Sequence, residues 1–220
     1  MSFTAWLWDA SAGIYEQIRL HPFLQGLTTG KLDRDAFRFY VIQDSHYLKD
    51  YARTLDLVAA KAPTPAEATL FAEHATNAAA VEQTLHATFL AELGDVTEPP
   101  APTTVAYTNF LLASAYAGSF GEAVAAVLPC YWIYAKVGEE LLTASSPDPL
   151  YARWIATYAA PDFQRLVTSV LEITERHAAT LSPSDHERMR QRFITAARYE
   201  WMFWDAAYRQ QRWPVSPEHY

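Results

Sequence analysis

Apolar residues recur every three to four positions along almost the whole chain, a period that leaves little but α-helix to build from. Trp6, Leu7, Ile14 and Ile18 share one face of residues 4–19, which stop before Pro22. Asp33 is placed to cap a long helix reaching Ala62. Thr64-Pro65-Ala66-Glu67 reads as a capping box with proline at the first helical position, and its helix ends at Gly94. A loop from Thr97 to Pro102 follows, then a helix from Thr103 to Gly118. Ser119-Phe120-Gly121-Glu122 is a second capping box, opening a helix to about Thr143. Pro149 begins a short helix to Tyr158, Pro161 begins another through His177, and Ser184 with Glu187 caps a last one to about Arg212. This gives eight helices and no strand. Only 7 of 220 residues are glycine, too few for the turns of a many-stranded β protein. Half the residues are hydrophobic, the linkers are short and no repeat occurs, so the expectation is one all-α domain over residues 1–220.

The formal charge of −8 argues against nucleic acid or an anionic membrane surface as partner. A single cysteine excludes an internal disulfide and suits a reducing cytoplasm. The N-terminus has no basic region followed by an apolar run, and no apolar stretch is long enough to span a bilayer, so neither a signal peptide nor a membrane segment is expected.

Two carboxylates break the apolar stripes. Asp44 sits among Phe37, Tyr40, Val41, Tyr47, Leu48, Tyr51 and Leu55, and Glu200 among Met189, Phe193, Ala196, Trp204 and Ala207. A buried carboxylate is costly unless paired or hydrogen-bonded. Each therefore has a structural partner (a Lys, an Arg or a tyrosine hydroxyl), or each faces a polar cavity. The last possibility gains from a chain that carries 7 Trp, 13 Tyr and 11 Phe.

The lone cysteine, Cys130, follows Pro129 inside a helix, on a stripe with Val127, Tyr134, Val137 and Leu141. Proline cannot donate to the carbonyl of Ala125, so a kink is expected. Free N–H groups at a break there would favour a thiolate. The plainer alternative is a small core residue. His74 and His86, with Glu82 between them, match no metal-ligand spacing and read as core-edge or solvated histidines; His46 adjoins Asp44 and faces either the site or solvent. No Glu-x-x-His, His-Glu-x-x-His, Cys-x-x-Cys, Gly-x-Ser-x-Gly or phosphate-binding loop occurs. The aromatics of Thr4–Trp8 and Trp201–Trp204 read as packing.

The segments HPFLQGLTTGKLDRDAFRFYVIQDSHYL, LPCYWIYAKVGEELL, YARWIATY and ARYEWMFWDAAYR resemble the TenA (thiaminase II) family of aminopyrimidine aminohydrolases, from about His21 to Arg209. The resemblance implies a haem-oxygenase-like helical bundle without haem, metal or cofactor, forming homotetramers. It implies Cys130 as nucleophile, Glu200 as catalytic glutamate and Asp44 as the pyrimidine-binding aspartate. Tyr47, Tyr107, Tyr134, Tyr158 and Phe203 become the pocket aromatics. Relatives often carry glycines after the tyrosine matching Tyr158, where this chain has Ala159-Ala160-Pro161. The implied reaction is hydrolysis of 4-amino-5-aminomethyl-2-methylpyrimidine to the hydroxymethyl compound and ammonia, with thiamin as a further substrate, in thiamin salvage in the cytoplasm. The small-molecule partner is then an aminopyrimidine or thiamin. The alternatives on the same fold are a cofactor-free or metal oxidase and a non-catalytic pyrimidine-binding protein.

Overall fold

Capping side chains and prolines set most of the helix ends. The structure, a computed structural model, describes residues 1–94 and 98–215, apart from the side chains of 81–87. Thr97, Glu82 and His86, named above, therefore lie outside the described residues or side chains. Ser2 caps α1 (Phe3–Arg19), and Asp33 caps α3 (Arg34–Lys61) by accepting from the N–H of Asp35, as the sequence implies. Thr64 Oγ1 accepts from the N–H of Glu67 at the start of α4 (Pro65–Leu85). The Ser119–Glu122 capping box opens α7 (Phe120–Ala144).

Four boundaries differ from the sequence reading. The first helix stops at Arg19, before Pro22, as the sequence implies, but Pro22 also opens a helix absent from that reading, α2 (Pro22–Thr29), with His21 Nδ1 accepting from the N–H of Phe23 at 3.1 Å. The helix expected to reach Gly94 instead passes from α4 into one π-helical turn (His86–Leu90) before the short α5 (Ala91–Leu93). Next, α6 (Pro102–Ala117) begins on its proline, while the N–H of Thr103 is taken by Gln211 Oε1 at 3.0 Å. Finally, α10 (Pro183–Tyr208) is capped by Ser182 in a box with Asp185, two residues before the expected Ser184, because Pro183 supplies a pre-set φ at the first position. Glu187 pairs with Arg190 instead, and α10 ends before Arg212, which binds Glu98.

The remaining helices are α8 (Pro149–Ala159) and α9 (Pro161–Ala178), and the described residues contain no strand. Helix α7 runs through the middle of the bundle, against α6, α8, α9 and α10, while α3 packs on α4, α6 and α10. Between them the core is aromatic. Tyr40 stacks on Trp204 at 5.3 Å with planes 6° apart, and Trp154, Tyr134 and Phe23 pack around that pair. Trp204 belongs to the packing, as its stripe implies; it is fully buried.

Candidate active site

Helix α3 places Tyr40, Asp44, Tyr47 and Tyr51 at intervals of three and four, so all four point into the bundle on one face. Helix α7 places Cys130, Tyr131 and Tyr134 opposite them, and α8 adds Tyr158. Between these side chains lies a cavity of about 120 Å³, lined by Asp44, Tyr47, Tyr51, Cys130, Tyr131, Tyr134 and Tyr158. A space near this size holds one aromatic ring; about 150 Å³ suffices for benzene. Its remaining wall is Leu48, Leu55, His74, Asn77, Ala78, Phe163 and Leu166, contributed by α3, α4 and α9.

Tyr158 reaches the cavity without the expected glycines. Ala160 joins α8 to α9 in an extended conformation, and Pro161 starts α9. The necessary glycine is on the facing helix. A Cβ on Gly138 would lie 2.5 Å from the carbonyl carbon of Tyr158, so α8 can approach α7 only where a side chain is missing. Gln164 Nε2 then donates to the Tyr158 carbonyl at 3.1 Å and to that of Ala135 at 3.2 Å.

The two striped acids are both inside. Asp44 is 4% exposed and Glu200 is 1% exposed. Neither forms an ion pair among the described residues, which removes the reading of each as half of a Lys or Arg pair. Asp44 Oδ2 and Tyr47 Oη, on two cavity-lining residues, have no hydrogen-bond partner. Buried polar atoms are almost always satisfied, so these two stand ready to bond a polar group that enters the cavity. Glu200 accepts a hydrogen bond of 2.6 Å from Tyr107 Oη. Burial pushes Asp44 up to about 7 and Glu200 up to about 8; the charge of Asp44 adds to the shift of Glu200.

The expected site residues divide into two layers. Asp44, Tyr47, Cys130, Tyr134 and Tyr158 line the cavity. Glu200, Tyr107 and Phe203 stand behind that wall, so the two acids do not share one lining. Contact is kept through rings: Tyr47 lies 5.1 Å from Tyr107 and 5.7 Å from Phe203, and Glu200 is close enough to raise the Cys130 thiol.

Cys130 differs from expectation in its electrostatics. Helix α7 continues unbroken through Pro129, so Cys130 is not at a helix start and gains no N-terminal field. Burial, with the charge of Glu200, holds the thiol well above its ordinary range, and hydroxyls of Tyr47 and Tyr51 facing it oppose the shift. The resting sulfur is a neutral thiol with two potential donors beside it.

His46 faces neither site nor solvent alone: its Nε2 meets the carbonyl of Glu98 at 2.8 Å. Gln43, next to Asp44, donates to Pro99 O and accepts from Ala101 N and Thr104 Oγ1. The loop before α6 thereby clamps the turn of α3 that carries Asp44. Sequence reasoning missed Tyr131 and His74 as cavity residues. His74 is buried and hydrogen-bonded, Nδ1 to Tyr131 Oη at 3.1 Å, not solvated. Tyr51, seven after Asp44 on the same stripe, was the one available signal. Among the described residues no group of three ligating side chains could hold a metal, and no helix is long and apolar enough to cross a membrane.

Residues 8–210 match the TENA/THI-4/PQQC family. An aminopyrimidine aminohydrolase of Bacillus subtilis is 35% identical, with 98% of this chain and 94% of that protein covered. Among solved structures, a TenA homologue from P. horikoshii superposes with a TM-score of 0.86 at 32% identity, covering 95% of this chain and 99% of that one. A domain of unknown function with a heme oxygenase-like fold from Shewanella denitrificans superposes with a TM-score of 0.76 at 15% identity, covering 96% and 93%, which speaks for the fold alone.

Proposed function

The chain belongs to the TENA/THI-4/PQQC family, with the all-α bundle of the heme oxygenase-like fold, and on that premise we propose that it is an aminopyrimidine aminohydrolase using covalent cysteine catalysis. The observation that carries the reading is the orphaned Asp44 Oδ2 in a tyrosine-walled cavity beside a cysteine. An aminopyrimidine is flat and suits stacking between tyrosine rings. Its amino group and adjacent ring nitrogen form an amidine-like edge that a carboxylic acid binds through two hydrogen bonds, accepting from the amino N–H and donating its O–H to the ring nitrogen, the role of Asp44 with its proton affinity raised to about 7.

The chemistry then runs as follows. Cys130 passes its proton to the nitrogen of the aminomethyl group, and its sulfur bonds to the ring carbon beside the one bearing that group. The adjacent ring nitrogen takes a proton that originates on Glu200, whose raised affinity for protons keeps it an acid near neutrality, and that crosses the cavity wall through the hydroxyls of Tyr107 and Tyr47. The lone pair of the 4-amino group shifts toward the ring, the bond to the exocyclic amine breaks, and the amine leaves as ammonia with one proton. Water adds to the exposed methylene and gives up its proton; the ring nitrogen loses its own, and the carbon–sulfur bond breaks. The sum is one water consumed, one ammonia released and a hydroxymethylpyrimidine formed. With thiamin, the thiazole leaves in place of ammonia. The apolar wall of Leu48, Phe163 and Leu166 suits the leaving group's side of the ring.

The proposed setting is thiamin salvage in the cytoplasm by a homotetramer without cofactor. Incubation with 4-amino-5-aminomethyl-2-methylpyrimidine and, separately, with thiamin, following ammonia and the hydroxymethyl product, tests the reading. Release of product from the aminomethyl compound is the expected result. Ligand bound but never converted would make this a pyrimidine-binding protein, and oxygen uptake would make it an oxidase.

A further inference from the structure

Three side chains in the same cavity take no part in the chemistry above: His74, Tyr131 and Tyr51. They form a line toward the nucleophile. His74 Nδ1 lies 3.1 Å from Tyr131 Oη. The Tyr131 ring meets the Tyr51 ring edge-on at 5.8 Å. Tyr51 and Cys130 line the same cavity, and in the resting site the Tyr51 hydroxyl donates at 3.1 Å to the carbonyl of Val127, three residues before the cysteine. All three side chains are buried.

A neutral thiol is a weak acceptor and a thiolate a strong one. The Tyr51 proton therefore rests on the backbone while the sulfur is neutral and turns to the sulfur when it is charged. Tyr51 oxygen is then free to accept from Tyr131, and Tyr131 to accept from a proton on His74 Nδ1. Three donors in series, all directed at one anion, strengthen one another. Burial lowers His74 to about 4, so it acts as a neutral imidazole with one N–H to give.

Resting on the covalent reading above, we infer that His74, acting through Tyr131, orients the Tyr51 hydroxyl as the hydrogen-bond donor that holds Cys130 as a thiolate. In this inference His74 and Tyr131 are positioning residues, and Tyr51 is the donor to the reacting sulfur. The other titratable groups that act on that sulfur are Asp44 and Tyr47 of α3, Tyr107 of α6, Tyr158 of α8 and Glu200 of α10, and Tyr134 of α7 shares its cavity. They remain in place in each variant below, so a change in the thiol reports the line alone.

The chain has one cysteine, so the rate of its alkylation by iodoacetamide as a function of pH reads the thiol directly, without turnover. Tyr51→Phe is expected to slow alkylation at fixed pH about tenfold, the loss of one hydrogen bond to a charged group, and to move the profile to higher pH. Tyr131→Phe and His74→Leu should move it the same way by roughly two- to threefold. His74→Asn, whose amide can stand where Nδ1 stood, should restore the wild-type profile. Thermal melts verify folding, and the Tyr131 and His74 variants decide the matter if Tyr51→Phe does not fold. Profiles for Tyr131→Phe and His74→Leu that match wild type would overturn the inference. Loss of turnover in Cys130→Ser with such unchanged profiles sinks only this line, whereas full turnover in Cys130→Ser sinks the covalent reading however the profiles move.

Discussion

Asp44 and Glu200 are the residues whose energetics separate a functional site from a structural one. Each has its proton affinity raised by burial, to about 7 and about 8, with no cation to compensate. In the unfolded chain both ionise near pH 4. Between about pH 4 and pH 8 the folded protein therefore holds protons that the unfolded chain has released, and stability falls as pH rises through that window. Asp44→Asn and Glu200→Gln remove the penalty. At pH 4 the folded and unfolded chains hold nearly the same protons, and the variants should melt within a degree or two of wild type. At pH 8 they should melt several degrees higher, at roughly 2–4 °C per kcal/mol for a chain of this size. Asp44→Asn is expected mainly to raise KM and Glu200→Gln mainly to lower kcat. Melts at the two pH values, paired with kinetics, check this. A large drop in melting temperature with kinetics unchanged would return both acids to the fold.

The contact between α7 and α8 is where an element's placement controls the site. Gly138 leaves the gap through which the Tyr158 backbone passes, and an added Cβ would meet backbone atoms at 2.5 Å, 2.7 Å and 2.8 Å, none of which can rotate aside. Gly138→Ala should displace the end of α8 and destabilise by about 1–3 kcal/mol, read as a fall in melting temperature. It should raise KM more than a matched glycine replacement outside this contact, because Tyr158 moves with the backbone. Gly13→Ala is that control: no atom lies within 4 Å of its added Cβ. Equal effects from both substitutions would contradict the role given to the approach.

Much of the helix pattern was legible in the sequence because caps are local. The boxes at Thr64 and Ser119 and the cap at Asp33 were visible as short motifs; the last two hold in full, and at Thr64 the hydroxyl caps the Glu67 N–H while the Glu67 carboxylate accepts from that hydroxyl and not from the backbone. What was not legible depends on distant partners or on choices between neighbouring signals. Pro22 ends one helix pattern and begins another, and only the tertiary position of His21 shows the new start. Ser182 and Ser184 both read as caps, and Pro183 decides for the first. In the site, the stripes on α3 and α7 showed which faces turn inward. They did not show that Glu200 stands one layer behind the cavity wall, or that α4 contributes His74 to it. Gly138 carries no sequence mark at all, since its requirement comes from a helix that follows later in the chain.

At the scale of the whole molecule, the site is assembled from five helices and reinforced from the far end of the chain. Arg212 binds Glu98, Trp213 Nε1 donates to Pro100 O, and Gln211 accepts from Thr103. The loop so held is the one that grips Gln43 and His46, on either side of Asp44. No other charged group is needed to bind a neutral ring, and the described residues offer no ligand set for a metal. Treatment with EDTA followed by assay should leave turnover unchanged. Loss on chelation, restored by a divalent ion, would require metal chemistry in place of the nucleophile.

The central claim is that Cys130 forms the covalent bond to the pyrimidine. Its most direct test is Cys130→Ser, assayed for ammonia release from 4-amino-5-aminomethyl-2-methylpyrimidine and melted alongside the wild-type protein. The serine hydroxyl fits the same space but is hardly ionised at neutral pH. The variant should keep the wild-type melt and lose turnover by roughly a thousandfold or more, as removal of a nucleophile does elsewhere. A folded Cys130→Ser variant hydrolysing the substrate at close to the wild-type rate would contradict the account.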